Sequence, residues 1–149
     1  MYNRILVSTD GSELAQKGVD HALALAKGLG LPVTVVTVSE RFPVYSGGVA
    51  YDFTWSDAAM TEYEEGQKTA AAAILAHARE AAERAGVSVE LLHIPDAQIG
   101  EAIISCAKER NCGLIVMASH GRRGIGRLVL GSKTSEVLSH SEIPVLVVR

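Results

Sequence analysis

The sequence predicts a single α/β domain, a doubly wound parallel sheet of five strands with four helices. Three observations predict it. Short apolar runs alternate with longer segments of helical periodicity. The strand runs are apolar on successive residues instead of every second one, the pattern of strands covered on both faces. The chain has 149 residues, the size of one ordinary domain, and shows no internal repeat, linker or second unit, so the domain spans residues 1–149.

The elements follow in order. Arg4 to Ser8 reads as the first strand, and a helix from about Ser12 to Leu29 follows. Ala15, Gly18, Val19, Ala22, Leu23 and Ala26 fall on one helical face. Pro32 ends that segment and Val33 to Val38 is the second strand. Residues 39 to 59 form a loop carrying Tyr45, Tyr51, Phe53 and Trp55, expected either to order on ligand binding or to meet a partner. A long helix runs from about Ala58 to Ala85, with a buried stripe of Met60, Tyr63, Gln67, Ala70, Ala71, Ile74, Leu75, Ala78, Ala81, Ala82 and Ala85, and Gly86 is its stop. Val87 to Leu92 is the third strand, Ile99 to Arg110 the third helix and Leu114 to Ala118 the fourth strand. A glycine-rich turn, a helix starting near Ser132 and a last strand from Val145 to Val148 complete the chain.

Composition sets limits on function. Hydrophobic residues make up 48% of the chain, enough for a core without disulfides or a structural metal. A net charge of −3 offers no global field for nucleic acid or an anionic membrane. No apolar run approaches the roughly 18 residues of a membrane span, and Ile5-Leu6-Val7 is too short for a signal-peptide core, so the expected compartment is the cytoplasm. Cys106 and Cys112 lack a Cys-x-x-Cys pattern and read as reduced bystanders.

Ligands of doubly wound sheets sit outside the carboxyl ends of the strands, where strand order reverses. The segment from Ala118-Ser119-His120-Gly121-Arg122-Arg123-Gly124 to Gly126-Arg127 and Gly131-Ser132 begins at such an end and finishes at a helix start. Its glycines allow close approach to a phosphate, its backbone N–H groups and the helix dipole favour an anion, and Arg122, Arg123 and Arg127 add three cations. No Gly-Lys-Ser/Thr closes it, so it is not a Walker loop, and the Rossmann fingerprint is absent after the first strand. There stand Ser8, Thr9, Asp10, Gly11 and Ser12 instead. Asp10 with Glu13 reads as a capping box, and Asp10 is also placed to hydrogen-bond a ligand.

These residues resemble the universal stress protein family along the whole chain. Ile5 to Ser12 resembles its opening, Leu114 to Gly121 its fourth strand and Pro144 to Val148 its ending. The family's ATP-binding branch carries Gly-x2-Gly-x9-Gly-Ser/Thr, matched here at Gly121, Gly131 and Ser132. The resemblance implies strand order 3-2-1-4-5 and a site for ATP, AMP or ADP, with Mg2+ or Mn2+ held by the phosphates. On it, Asp10 and Val38, beside Ser8 and Thr9, border the adenine. Met117, Ala118, Ser119, His120 and Gly121 follow the ribose and phosphates, while Gly131, Ser132 and Lys133 hold the phosphates. It also implies a homodimer through Val145 to Val148, an apolar run expected at a sheet edge.

This sequence departs from the pattern at Ala118, which replaces the motif's first glycine. A positive φ there would cost about 1–2 kcal/mol; with an ordinary φ the methyl group only narrows the space. His93 stands where a small residue is common, and reads as a solvent-facing loop histidine or as an edge of the pocket. The expected function is a nucleotide-binding regulatory module of stress response. The alternatives are a nucleotide-independent dimer and a slow ATPase in which His120 is the only acid–base candidate.

Overall fold

The computed structural model describes residues 1–41, 56–121 and 129–149. Arg122, Arg123, Gly124, Gly126, Arg127 and the aromatic segment Tyr45 to Trp55 lie outside the described residues. Strands β1 (Ile5–Ser8), β2 (Val33–Val38), β3 (Val89–Ile94), β4 (Leu114–Ala118) and β5 (Val145–Val148) form one sheet in the order β3-β2-β1-β4-β5, every pair parallel. Helices α1 (Glu13–Leu29), α2 (Asp57–Ala85), α3 (Ile99–Glu109) and α4 (Ser132–His140) alternate with them.

The uninterrupted apolar strands have a simple cause. Ile5, Leu6 and Val7 are all fully buried, because β1 is packed on both faces. Ile5, Val7, Val33, Val35 and Val116 meet Val19, Ala22 and Leu23 of α1 and Ala78 and Ala82 of α2. On the opposite face Leu6, Val36, Ile115 and Met117 meet Ile103 and Ala107 of α3 and Val137 of α4. The face expected for α1 is the buried one, residue for residue. Small residues there let the helix lie close to the sheet; a Cβ on Gly18 would come within 3.7 Å of Ala118 N.

Three local expectations are corrected. The cap of α1 is Ser12, whose Oγ accepts the Ala15 N–H at 3.2 Å, and not Asp10; the Asp10 Oδ1 instead accepts the Ser12 N–H at 2.9 Å. Strand β3 starts two residues later than its apolar run, because the Val87 N–H is committed to the Ala82 carbonyl in the stop of α2. His93 is therefore a strand residue, half-buried.

The α2 stripe is buried only at Ala71, Ala78, Ala81 and Ala82, while Met60 and Ala70 are exposed and Tyr63, Gln67 and Ile74 half-buried. Its 29 residues extend about 43 Å at 1.5 Å per residue, against about 20 Å for a six-residue strand. The first turns therefore pass beyond the carboxyl edge of the sheet. Helix α4 starts at Ser132, as its sequence predicts, and its cap is Gly131.

Candidate functional site

Chain connections leave β1 and β4 toward opposite faces of the sheet, since α1 packs on one face and α4 on the other. Between their carboxyl ends a cleft of about 580 Å3 opens, within the range of roughly 300–1,000 Å3 usual for small-molecule sites. Asp10 and Val38 line it from β1 and β2, His120 and Gly121 from β4, and Gly131, Ser132 and Lys133 from the start of α4. A recess of about 110 Å3 adjoins it, lined by Ser8, Thr9, Met117 and Ala118. Every sequence-predicted site residue within the described part of the chain except Ser119 thus faces one of two connected hollows.

Ser119 supports them from below. It is 3% exposed, and its Oγ lies 3.0 Å from His120 Nδ1. Its N–H donates to the Val148 carbonyl at 2.8 Å, and its own carbonyl accepts the Gly131 N–H at 2.7 Å. That last bond closes the base of the turn between β4 and α4. Thr134 tightens the same junction by donating its hydroxyl to the Ala118 carbonyl at 2.8 Å.

The two motif glycines are required for room, not for backbone conformation. A Cβ on Gly121 would overlap the Asp10 Oδ2. One on Gly131 would lie 3.2 Å from both the Ser119 carbonyl oxygen and His120 Cα; Gly131 itself has φ −58°. Ala118 is equally ordinary: among the described non-glycine residues, positive φ occurs only at Asp96 and Asn111. The alanine carries no backbone strain, and its methyl group is a lining atom of the inner recess.

Gly131 has no side chain with which to cap α4, so its first-turn N–H groups lack the acceptor that Ser12 gives α1. That end of the helix, with Lys133 beside it, is the positive part of the cleft. Lys133 Nζ lies 3.2 Å from Glu40 Oε1 across the opening.

His93 takes neither expected place. Its Nε2 is 2.7 Å from Ser39 Oγ, and burial pushes its pKa below 6.5, which favours the neutral ring. It lies in an adjoining hollow of about 510 Å3 that shares Ser39, Glu40, Tyr63 and Gln67 with the cleft. Both cysteines are free and buried; burial raises the Cys106 thiol and pushes Cys112 up to about 11. Among the described residues no group of three His, Cys, Asp or Glu is placed to hold a metal, and no helix is long and apolar enough to cross a membrane.

Sequence reasoning missed Ser39, Glu40, Ile99 and Thr134, and it assigned Tyr63, Gln67, Ala70 and Ile74 to the core when they form the α2 wall of the cleft. A wall residue of this kind shares the helical spacing of a core residue. The available signal was length, since α2 outruns the strands it covers.

A family model described as the universal stress protein family matches residues 1–149. Universal stress protein YxiE of Bacillus subtilis is 30% identical over 149 residues, covering 100% of each chain. A universal stress protein of Thermus aquaticus is 31% identical, again over 100% of each chain. The structure of UspA from Lactobacillus plantarum has a TM-score of 0.81 at 23% identity and covers 99% of this chain and 98% of its own. A universal stress protein in complex with cAMP scores 0.68 at 23% identity over 99% and 97% of the two chains. One from Archaeoglobus fulgidus in complex with dAMP scores 0.67 at 21% identity over 99% and 98%. These structures share the fold of the present chain.

Proposed function

The chain belongs to the universal stress protein family, and from that membership we propose that it binds an adenine nucleotide, ATP or AMP, as a regulatory module of stress response. The observation that carries this reading is the pairing of Gly121 with Asp10 and of Gly131 with Ser119 and His120. Two glycines spared any Cβ bring the turn and the start of α4 up to the cleft, leaving backbone N–H groups where phosphates would lie. The complexes of similarly folded family members with cAMP and dAMP point to the same ligand class.

In this reading Asp10 and Val38 border the adenine, with Ser8 and Thr9 beneath it. Met117, Ala118, His120 and Gly121 follow the ribose and phosphates, and Ser119 orients His120. Gly131, Ser132 and Lys133 hold the phosphates, joined by Arg122, Arg123 and Gly124 of the preceding loop. The residues fit such a ligand: the cleft has the volume, an apolar side at Val38 and Ile74, and an ammonium at its positive end. A divalent cation, Mg2+ or Mn2+, would be carried by the phosphates and offset their charge.

The module is further read as a cytoplasmic homodimer. Strand β5 is at the sheet edge, and its Val145, Leu146 and Val147 are each half-buried in the single chain. An apolar edge of this kind favours pairing with a second copy.

The test is the mass spectrum of nucleotide released on denaturing freshly purified protein, followed by ATP titration of the stripped chain. Co-purified ATP or AMP, or micromolar binding that Gly131→Val removes, is the expected result. A nucleotide-free protein inert to millimolar ATP with magnesium would instead identify a nucleotide-independent dimer, and ATP turnover lost on replacing His120 would identify the slow hydrolase.

A further inference from the structure

Glu40 stands on the rim of the cleft, immediately beyond β2, and is tied to both walls. Its backbone carbonyl accepts the Tyr63 hydroxyl of α2 at 3.3 Å. Its carboxylate reaches the other way, to Lys133 Nζ of α4 at 3.2 Å. Lys133 is the only lysine or arginine among the described residues that line the cleft. The chain's own carboxylate therefore engages the ammonium that an anionic ligand would need.

We propose that Glu40 is an internal competitor for Lys133 and sets how strongly the cleft discriminates by the number of phosphates on its ligand. The inference rests on the nucleotide reading above. For Lys133 to reach a phosphate it must give up Glu40. That exchange opposes a phosphorylated ligand and leaves an uncharged nucleoside untouched. The ligand-free site accordingly favours ligands with fewer phosphates than its positive helix end alone would select. Direct contact of Glu40 with the nucleobase is not required.

The size of the effect follows from exposure. The two side chains are 44% and 46% exposed, and ion pairs so placed are weak, contributing a factor of about two to five in an equilibrium. Glutamine is the informative replacement. It keeps the backbone bond to Tyr63 and can still accept from the ammonium, so the rim stays tied while the charge is lost.

Calorimetric titrations of the full-length chain with ATP and with adenosine test the idea in wild type, Glu40→Gln, Lys133→Met and the double variant. Glu40→Gln should bind ATP about two- to fivefold more tightly than wild type and adenosine equally well. The gain should vanish in the Lys133→Met background and shrink at about 1 M salt, where screening acts within roughly 3 Å. An unchanged ATP affinity in Glu40→Gln overturns the proposal, as does an equal gain for adenosine. A gain that persists without Lys133 overturns it too, since it would show plain repulsion of the ligand by Glu40. Absence of any ATP binding in both wild type and Glu40→Gln has a different meaning: it removes the nucleotide reading itself, and the competitor with it.

Discussion

Gly121 lies against Asp10 so closely that a Cβ on the glycine would overlap the Asp10 Oδ2, while the other carboxylate oxygen accepts the Ser12 N–H at 2.9 Å. The turn that opens α1 and the turn that leads to α4 are thereby interlocked across the two central strands. Asp10 serves the fold through one oxygen and meets the cleft's glycine with the other.

Gly121→Ala should displace that carboxylate and weaken the turn before α1. The expected cost is about 1–3 kcal/mol of unfolding free energy by urea denaturation. ATP affinity should fall at least about tenfold, a difference of roughly 1.4 kcal/mol. Asp10→Ala removes the obstructing atoms, so in the double variant the stability cost of Gly121→Ala should be smaller than in the wild type. Strict additivity would show that the two residues do not interact.

At Ala118 the opposite outcome is expected. Its φ is ordinary and it lies within β4, so restoring the motif's glycine relieves nothing. Ala118→Gly should lower stability by about 0.5–1 kcal/mol, the usual cost of glycine inside a strand, and should leave ATP affinity within about threefold. An affinity gain of about tenfold would mean that the methyl group obstructs the ligand.

The fold was largely legible because its signals are local and mutually consistent. Val33–Val38 and Val145–Val148 follow directly on Pro32 and Pro144, Leu114–Ala118 is a continuous apolar run, and the α1 face was read from spacing alone. The glycine motif also pointed to the turn between β4 and α4 that lines the cleft. What could not be read is whatever depends on how far an element extends past its neighbours. Tyr63, Gln67 and Ile74 continue the periodicity of Ala78 and Ala82, and only the overhang of α2 turns them from core residues into a cleft wall. Likewise no sequence spacing links Glu40 to Lys133, or Ser39 to His93; both pairs form because the parallel strands end, and α4 begins, at the same edge.

That overhang supplies its own test. Ala70 is exposed and lines the cleft. Ala70→Glu should therefore change stability by no more than about 0.5 kcal/mol, yet lower ATP affinity about tenfold or more through bulk and charge. A loss of stability above that range, measured by denaturation, would return the residue to the core.

Burial of the thiols predicts a pH dependence. The Cys112 pKa is raised from 9.0 to about 11, chiefly by desolvation. In the unfolded chain the thiol ionises first, so the stabilising contribution is complete below pH 9.0 and is lost as pH rises through about 11. Unfolding free energy measured between those values should fall less steeply in Cys112→Ala than in wild type. Parallel slopes would show that the thiol does not contribute.

Val147 bears on assembly. It pairs with Met117 in β4, and unlike Leu146 and Val148 it belongs to neither core. Half-buried at a sheet edge, it has an apolar side chain whose remaining exposure a second copy would cover. Val147→Lys places a charge on that edge without emptying the core, so sedimentation should show a dimer for the wild type and, for the variant, a monomer with an unchanged circular dichroism spectrum. A variant that remains dimeric would move the interface to another surface. One that loses its helical signal would show that Val147 is needed within the single chain.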